Sequence, residues 1–206
     1  MRRIIRLTES DVRNIVRNVI SESLNELDLY HGSMADFDEF DLAYISSGWG
    51  QQAYGYGIYL TDSTDCAKSY SRGGLVYTAK VPNGPYLSYV KISPNKAYKI
   101  ANDFYKYYLT QNEYGKEAYI GHEKDFWELE CSAICNATDG GQLYGTIASI
   151  LGDDKETSEF LYKEGFKGIK WIDNITTGKK NTNYLIFNPK DIQIIKKEKM
   201  PNHEET

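Results

Sequence analysis

The chain has 206 residues, of which 41% are hydrophobic, and this length fits one domain with a sizeable core rather than two. Its formal net charge is −5, so the composition gives no basic footprint for duplex nucleic acid. No segment is apolar for long enough to cross a bilayer, which predicts no membrane association. The three cysteines, an odd number, argue against a disulfide framework and favour a reducing cytoplasm.

The cysteine spacing also bears on metal binding. Cys131 and Cys135 lie one helical turn apart, and His122 precedes them in the sequence. A structural zinc site needs four such ligands. We therefore interpret the pair as small buried thiols and predict no metal site.

The first predicted element is an amphipathic helix from about Glu9 to Glu26. Thr8 to Asp11 resembles a capping box, and apolar residues follow at helical spacing. The apolar stripe is narrow, so three options stay open: docking on the body of the protein, pairing with another helix, or removal as a leader. We separate residues 1–27 as this segment from a domain at residues 28–196.

Strands and turns dominate the next part of the chain. Short strands are predicted at Leu29–Gly32 and Gly57–Thr61, with the irregular stretch Asp36–Gly50 between them. A cap at Ser63 or Thr64 then predicts a short helix to Tyr70. After a glycine turn, alternating apolar residues predict a strand at Leu75–Val81.

The middle of the domain is predicted to be helical and its end to be strands. The predicted helices are Ser93–Gln111, Phe126–Cys135, Gln142–Leu151 and Asp154–Glu164. The closing strands are Gly168–Ile172, Thr182–Phe187 and Ile192–Ile195. This order predicts an α+β fold rather than an alternating βαβ array. The charged residues 197–206 are predicted to form a disordered tail.

Three separated motifs carry the functional prediction. They are Tyr30-His31-Gly32-Ser33, the segment Gly55–Tyr70 with Tyr59 in its strand, and Asn183-Tyr184-Leu185-Ile186-Phe187. The glycines before Tyr59 do not match the dinucleotide fingerprint, which needs a third glycine and a helix directly after it. Walker, nucleophile-elbow and His-Glu-x-x-His motifs are absent from the sequence.

In this order, the motifs resemble those of ADP-ribosyltransferases of the diphtheria-toxin and poly-ADP-ribose-polymerase class, whose signature is His, Tyr and an acid on three strands. The spacing from Tyr59 to Tyr70 is similar to that of the family's second motif. A closer likeness is to the small ADP-ribosyltransferase domains of phage and mobile-element polyvalent proteins, over about Leu29 to Ile195. The resemblance implies an ADP-ribosyltransferase-like split β-sandwich with inserted helices, following the N-terminal amphipathic helix.

The resemblance also implies a cleft that binds NAD as co-substrate and cleaves its nicotinamide–ribose bond, without a metal. His31 would hydrogen-bond the adenosine-side ribose, while the backbone of Gly32 and the side chain of Ser33 would meet the carboxamide. Tyr59 and Tyr70 would flank the nicotinamide ring. The remaining implied cofactor-binding residues are Tyr30, Gly57 and Ala67.

The third motif departs from the family pattern, because Asn183 stands where the family has an acid. An amide can orient a ribose hydroxyl, but it gives no negative charge to a developing oxocarbenium ion. The loss could be on the order of 3 kcal/mol, roughly a hundredfold in rate. His31, Tyr59 and Asn183 are the predicted catalytic residues, and Asp173 and Glu159 are the nearest acids that could take over the missing charge.

The segment from Asp173 to Thr182 resembles the acceptor-recognition loop of such enzymes, with Lys179 and Lys180 making it basic; an ordinary solvated turn is the alternative. The predicted function is mono-ADP-ribosyl transfer to an acceptor, expected to be a host protein. The chain would be a toxin-like phage or bacterial effector in the bacterial cytoplasm, with delivery by the virion as an option. An NAD glycohydrolase and a noncatalytic NAD-binding module stay open, because Asn183 replaces the acid.

Overall fold

The computed structural model describes residues 8–9, 13, 25–44, 54–88 and 91–201. Of the predicted N-terminal helix, Glu9 and Arg13 are among them. Both are helical, and the Arg13 guanidinium lies 2.6 Å from the Glu9 carboxylate. Residues 10–12 and 14–24 of that helix lie outside the described part, as do residues 1–7, 45–53, 89–90 and the last five; Glu26, the predicted last residue of the helix, instead begins a strand.

Within the described residues, seven strands form one mixed sheet in the order β4-β5-β6-β2-β1-β3-β7. β4 and β5 are parallel, whereas all other neighbours are antiparallel. The α+β class is thereby confirmed. The strands are β1 (Glu26–Ser33), β2 (Ile58–Thr61), β3 (Leu75–Pro82), β4 (Tyr86–Leu87), β5 (Gly168–Asp173), β6 (Asn181–Ile186) and β7 (Gln193–Lys199).

Helix α1 (Thr64–Ser71) follows β2, and the other helices fill the interval between β4 and β5. Side-chain caps begin α1 and the helix that follows β4 where the sequence predicts, at Ser63 and Ser93. A π-helical turn at Trp127–Cys131 joins α4 to α5. The helices are α2 (Pro94–Thr110), α3 (Glu113–Ala118), α4 (Glu123–Phe126), α5 (Ser132–Cys135), α6 (Gly140–Leu151) and α7 (Asp154–Lys163).

The sheet carries a core on each face, because successive strand residues point to opposite sides. One face, here called the Asn183 face, presents Tyr59, Asn183 and Leu185 and is joined to the larger core formed with the helices. The other, the His31 face, presents His31 and Leu60 and carries a smaller core that includes Phe40, Tyr77 and Ala79.

β1 and β2 are joined by one registered pair, Tyr30 with Thr61. Beyond it, His31–Ser33 continue to pair with β3, and Ile58–Leu60 continue to pair with β6. The sheet therefore opens between the two strands that carry the first two motifs. The family resemblance implies a split β-sandwich, whereas the described strands form a single sheet whose halves meet at this one pair.

The strand boundaries differ from the prediction at both ends of the domain. β1 begins at Glu26, and β7 runs to Lys199, three residues into the predicted tail. The lysines of β7 have a low strand propensity, so the sequence predicted a disordered tail from residue 197 onward. They fit an edge strand, however, where charged side chains remain in water and discourage further pairing.

Candidate functional site

His31 projects from β1 into an aromatic cluster on the His31 face. Its ring lies 5.2 Å from Phe40 and 6.2 Å from both Phe37 and Tyr77, measured between centroids. Its Nδ1 lies 2.8 Å from the backbone oxygen of Tyr59. Because a carbonyl oxygen only accepts, Nδ1 carries the proton in this bond.

Burial lowers the pKa of His31 below its usual 6.5, although the bond to the Tyr59 carbonyl acts in the opposite direction. The imidazole is therefore neutral at physiological pH, with a proton on Nδ1 and a lone pair on Nε2. A neutral ring of this tautomer accepts a hydrogen bond at Nε2. A ribose hydroxyl can donate such a bond.

Tyr59 projects from β2 to the Asn183 face, and its ring is held by three contacts. The hydroxyl donates to the Gly55 carbonyl at 3.0 Å and accepts from the Tyr54 backbone N–H at 3.2 Å. The ring meets Trp171 edge-on at 5.9 Å, and Tyr54 stacks on the same Trp171 at 4.2 Å. Burial raises the pKa of Tyr59 to about 12, so the phenol stays protonated.

Tyr144 of α6 supports the turn before Tyr59, a role that the sequence did not reveal. Gly55 has φ +118, and a Cβ there would overlap the Tyr144 ring. The Tyr56 N–H donates to the Tyr144 hydroxyl at 3.3 Å, and Ser158 lies 3.1 Å from that hydroxyl. Tyr56 and Tyr144 are 88 residues apart, so no local sequence pattern indicates their contact.

Helix α1 lies against β1 on the Asn183 face. A Cβ on Gly32 would overlap the carbonyl oxygen of Ala67, so the packing of α1 itself requires glycine. Tyr70 is one turn beyond Cys66 on the same helix face and is 47% exposed. An exposed tyrosine thus lies on the helix that packs over Gly32.

Asn183 lies in a polar cluster beside α1. Its Nδ2 donates to the Asp173 carboxylate at 3.3 Å, and its Oδ1 accepts from Asn181 Nδ2 at 2.8 Å. Asn181 also donates to Thr61 Oγ1 at 3.3 Å, while the Cys66 thiol is 4.0 Å from Asn183 Oδ1. Thr61, Cys66 and Asn181 are buried, so the cluster has little solvent on its sheet side.

The ionised carboxylate decides the orientation of both amides. Rotating the Asn181 amide would give it the Asp173 and Lys179 carbonyls as acceptors, but would set its oxygen 2.8 Å from Asn183 Oδ1. Turning Asn183 as well would point its oxygen at a carboxylate, which only accepts. With Asn183 Nδ2 on Asp173, the Asn181 oxygen faces the Asp173 and Lys179 carbonyl oxygens, but the hydrogen bond to the charged acceptor is the stronger contact and favours this orientation.

Asp173 closes β5 and anchors the following loop. Its carboxylate accepts from the N–H groups of Ile175 at 2.7 Å and Thr176 at 3.3 Å, and from the Thr176 hydroxyl at 2.5 Å. Partial burial raises the pKa of Asp173, but these bonds and the one from Asn183 outweigh it, and the pKa lies below its usual range. Glu159, the other acid considered from the sequence, is exposed on α7 near Tyr107 and is not brought to this cluster.

The basic residues of the loop are at the surface. Lys179 Nζ lies 3.6 Å from the Asp65 carboxylate of α1, and Lys180 is exposed. A pair this exposed contributes little stability. Ile175, at the tip, is 92% exposed, so the loop presents both an apolar and a basic side chain to solvent.

The remaining predicted residues have local structural roles. Ser33 Oγ accepts from the Ala35 N–H at 3.1 Å in a turn. A Cβ on Gly57 would lie 2.5 Å from the Ile186 carbonyl oxygen, so β2 enters the sheet only with glycine there. Tyr30 is partly buried opposite Thr61.

The structure therefore brings the predicted residues together in two groups. Tyr59, Asn183 and Asp173 share the Asn183 face with α1, whereas the His31 ring lies on the opposite face. The bond from His31 to the Tyr59 backbone connects the two groups across the opening between β1 and β2.

The described residues give little basis for other kinds of site. In that part of the chain, no three His, Cys, Asp or Glu side chains come together as metal ligands. None of the helices described is long and apolar enough to cross a membrane. The three cysteines are unpaired. An open groove of about 550 Å³ on the helical layer, lined by residues such as Glu130 and Gln142, contains none of the predicted site residues.

Comparisons with known proteins add little. No protein-family model and no curated protein matches the chain. A crystal structure of an anti-CRISPR protein is similar with a TM-score of 0.35 and 15% identity, over 82% of this chain and 96% of that chain. A TM-score this low does not establish a shared fold.

Proposed function

We propose that this chain is a mono-ADP-ribosyltransferase that uses NAD as co-substrate and transfers ADP-ribose to an acceptor. One observation carries the proposal. His31, Tyr59 and Asn183 lie on three neighbouring strands, β1, β2 and β6, at the place where the β1–β2 ladder ends after a single pair. These are the three motif positions whose order in the sequence resembles the ADP-ribosyltransferase signature.

The proposal assigns two tyrosines, one on β2 and one on α1, to a flat heteroaromatic ring. Tyr59 is rigidly held on one side, and the half-exposed Tyr70 stands on α1. Stacking on such rings contributes about 0.5–1.5 kcal/mol each beyond area burial. In the proposal, nicotinamide occupies this place, and His31 Nε2 accepts a hydrogen bond from the adenosine-side ribose.

The proposed reaction breaks the bond between ribose C1′ and the nicotinamide nitrogen. The bonding electrons go to the ring nitrogen, so the pyridinium leaves as neutral nicotinamide. The acceptor's lone pair then forms a bond to C1′, and the acceptor loses its proton to solvent. Positive charge on the ribose is greatest in the transition state, as in glycoside cleavage.

The protonation states at the site suit this reaction. Nicotinamide leaves as a neutral molecule and needs no proton from a general acid. Neither His31 nor Tyr59 is suited to act as one, because the His31 imidazole is neutral and the pKa of Tyr59 is about 12. The residues can instead orient the dinucleotide and stabilise charge. Such preorganised electrostatic stabilisation is commonly the largest contribution to catalysis.

A label-transfer assay tests the proposal. The purified chain is mixed with NAD labelled in its adenylate phosphate and with a bacterial lysate, and nicotinamide, free ADP-ribose and labelled protein are measured. We expect nicotinamide release together with labelled protein. Free ADP-ribose without labelled protein would identify a glycohydrolase, and an unchanged NAD pool would reject both enzymatic functions.

A pair of histidine variants serves as a matched control. His31→Ala removes the Nε2 acceptor and the bond to the Tyr59 carbonyl, so NAD affinity is expected to fall at least about tenfold. His122→Ala removes an exposed imidazole whose partner is Asp125 on the helical layer, and should leave affinity unchanged. Equal affinities of the two variants in calorimetry would refute the site assignment.

A further inference from the structure

The proposed reaction lacks one component in the three motif positions. Its transition state is cationic, yet Asn183 is neutral where the resembling enzymes have an acid. An ionised group close to Asn183 would supply the missing charge. The structure places the Asp173 carboxylate there.

We propose that Asp173 is a positioning residue that supplies negative charge to the NAD ribose through the side-chain amide of Asn183. This inference rests on the proposed function and deepens it. It assigns the charge to the neighbouring strand β5, rather than to the third motif on β6.

The first step of the argument is that the carboxylate is fixed before any ligand binds. Ile175 and Thr176 hold it with three hydrogen bonds of 2.5 to 3.3 Å from its own loop. A carboxylate with this many donors is ionised at neutral pH. Its position costs no reorganisation during the reaction.

The second step is the orientation that the carboxylate imposes on Asn183. The amide nitrogen donates to Asp173 at 3.3 Å, so the amide oxygen points the other way, toward Asn181 and Cys66. That oxygen has two lone pairs: one accepts from Asn181 at 2.8 Å, and the other faces the Cys66 thiol at 4.0 Å, a weak donor that a ribose hydroxyl would replace. The hydrogen bond to a carboxylate also polarises the amide and makes its oxygen a stronger acceptor.

The third step is the assignment of the other nearby acids to other partners. Asp62 accepts from the Thr182 backbone N–H at 2.8 Å, and Asp65 lies 3.6 Å from Lys179 and 3.9 Å from Lys68. Neither hydrogen-bonds the Asn183 amide. Among the described acids considered for the missing charge, Asp173 alone does so.

Kinetics of NAD cleavage provide the first test. Asp173→Asn keeps the shape and the backbone bonds of the loop, but it removes the charge and replaces the acceptor of Asn183 Nδ2 with a donor, and we expect kcat to fall at least about tenfold with little change in KM. Asp65→Asn removes one charge from the same region without touching Asn183, and should leave kcat within about twofold. A purely structural role for Asp173 would change unfolding temperature and KM instead.

A charge exchange gives the sharper test. In the double variant Asp173→Asn, Asn183→Asp, the two side chains can still hydrogen-bond, and the charge lies on the strand position nearer the proposed ribose. We expect this variant to recover at least wild-type kcat. Failure to recover, with the wild-type unfolding temperature retained, would contradict the inference.

Binding of a cationic analogue tests the role of Asp173 independently of the proposed function, because binding can be measured even if the chain does not cleave NAD. The probe is an NAD analogue in which a protonated pyrrolidine replaces the nicotinamide ribose, and calorimetry compares it with NAD. We expect Asp173→Asn to weaken the cation at least about tenfold and NAD less than threefold. If the wild-type chain cleaves no NAD but the difference in affinity remains, the role of Asp173 stands and the proposed function fails. If the wild-type chain cleaves NAD but the two ligands lose affinity equally, the proposed function stands and the role of Asp173 fails.

Discussion

The two faces of the sheet at the β1–β2 opening differ in how they hold their key side chain. On the His31 face, an imidazole lies among Phe37, Phe40 and Tyr77, with one hydrogen bond to a backbone oxygen. On the Asn183 face, an amide lies in a chain of polar side chains that ends at an ionised carboxylate. The first environment excludes charge, and the second concentrates it.

This difference separates binding from charge stabilisation. A neutral His31 with a fixed tautomer is suited to orienting a hydroxyl. The Asn183 face is suited to opposing positive charge, because its carboxylate is preorganised. The proposed cleavage of a cationic glycosidic linkage needs both.

The largest effect is expected where α1 rests on the sheet. Gly32→Ala sets a Cβ against the Ala67 carbonyl oxygen, so backbone rather than a flexible side chain must move. We expect a loss of at least about 3 kcal/mol in the free energy of unfolding. Gly145→Ala, on an open surface of α6, should instead add up to about 1 kcal/mol. Urea titrations giving equal values for the two would show that α1 does not pack against β1 as described.

The polar chain of the Asn183 face is tested by Asn181→Ala. Asn181 is 5% exposed and donates to Thr61 and Asn183, so its removal leaves two partly buried acceptors with fewer partners. We expect a loss of about 1–3 kcal/mol in the free energy of unfolding. Phe37→Leu, a volume-reducing change on the opposite face, should reduce stability without changing kcat. If Asn181→Ala left both stability and kcat unchanged, the polar chain would have no role.

The apolar environment of the His31 face predicts a pH dependence of stability. Because burial lowers the pKa of His31 below 6.5, the unfolded chain takes up a proton before the folded one does as the pH falls. The stabilisation is complete above pH 6.5 and is lost as the pH falls toward the folded pKa, by about 1.4 kcal/mol for each unit of separation. His31→Gln should flatten the stability curve in this window. Superimposable wild-type and His31→Gln curves would contradict the buried neutral imidazole.

The smallest effect concerns the hydroxyl that fixes Tyr59. Tyr59→Phe keeps the ring and its contact with Trp171 but loses the bonds to Gly55 and Tyr54. We expect NAD affinity to weaken by about 1 kcal/mol, roughly fivefold. Tyr107→Phe, which loses a hydroxyl bond to Glu156 away from the sheet opening, provides the comparison in calorimetry. A larger effect of Tyr107→Phe would argue that the hydroxyl at Tyr59 does not position the ring.

Local patterns predicted most of the elements in the described part of the chain. The caps at Ser63 and Ser93 and the alternation of Leu75–Val81 gave α1, α2 and β3 nearly as observed. β4 could not be predicted, because its two residues become a strand only by pairing with β5, about 80 residues later. α3 was also missed, although Asn112 caps it with a bond to the Gly115 N–H.

The residues of the candidate site were proposed from the sequence motifs, but the contacts between them could not be. The motifs identified His31, Tyr59 and Asn183, and the sequence pointed to Asp173 as a nearby acid. Its bond to Asn183 depends on the antiparallel register of β5 and β6, which sets Trp171 opposite Asn183. The aromatic and tyrosyl supports, Trp171 and Tyr144, come from long-range packing that local sequence does not encode.

The most direct test of the central claim is a crystal structure with a carbocyclic NAD analogue that cannot be cleaved. The account predicts the nicotinamide ring between Tyr59 and Tyr70, with its ribose hydroxyls beside Asn183 and the adenosine-side ribose at His31. An analogue bound elsewhere, or no bound analogue at concentrations that saturate calorimetric binding, would contradict it.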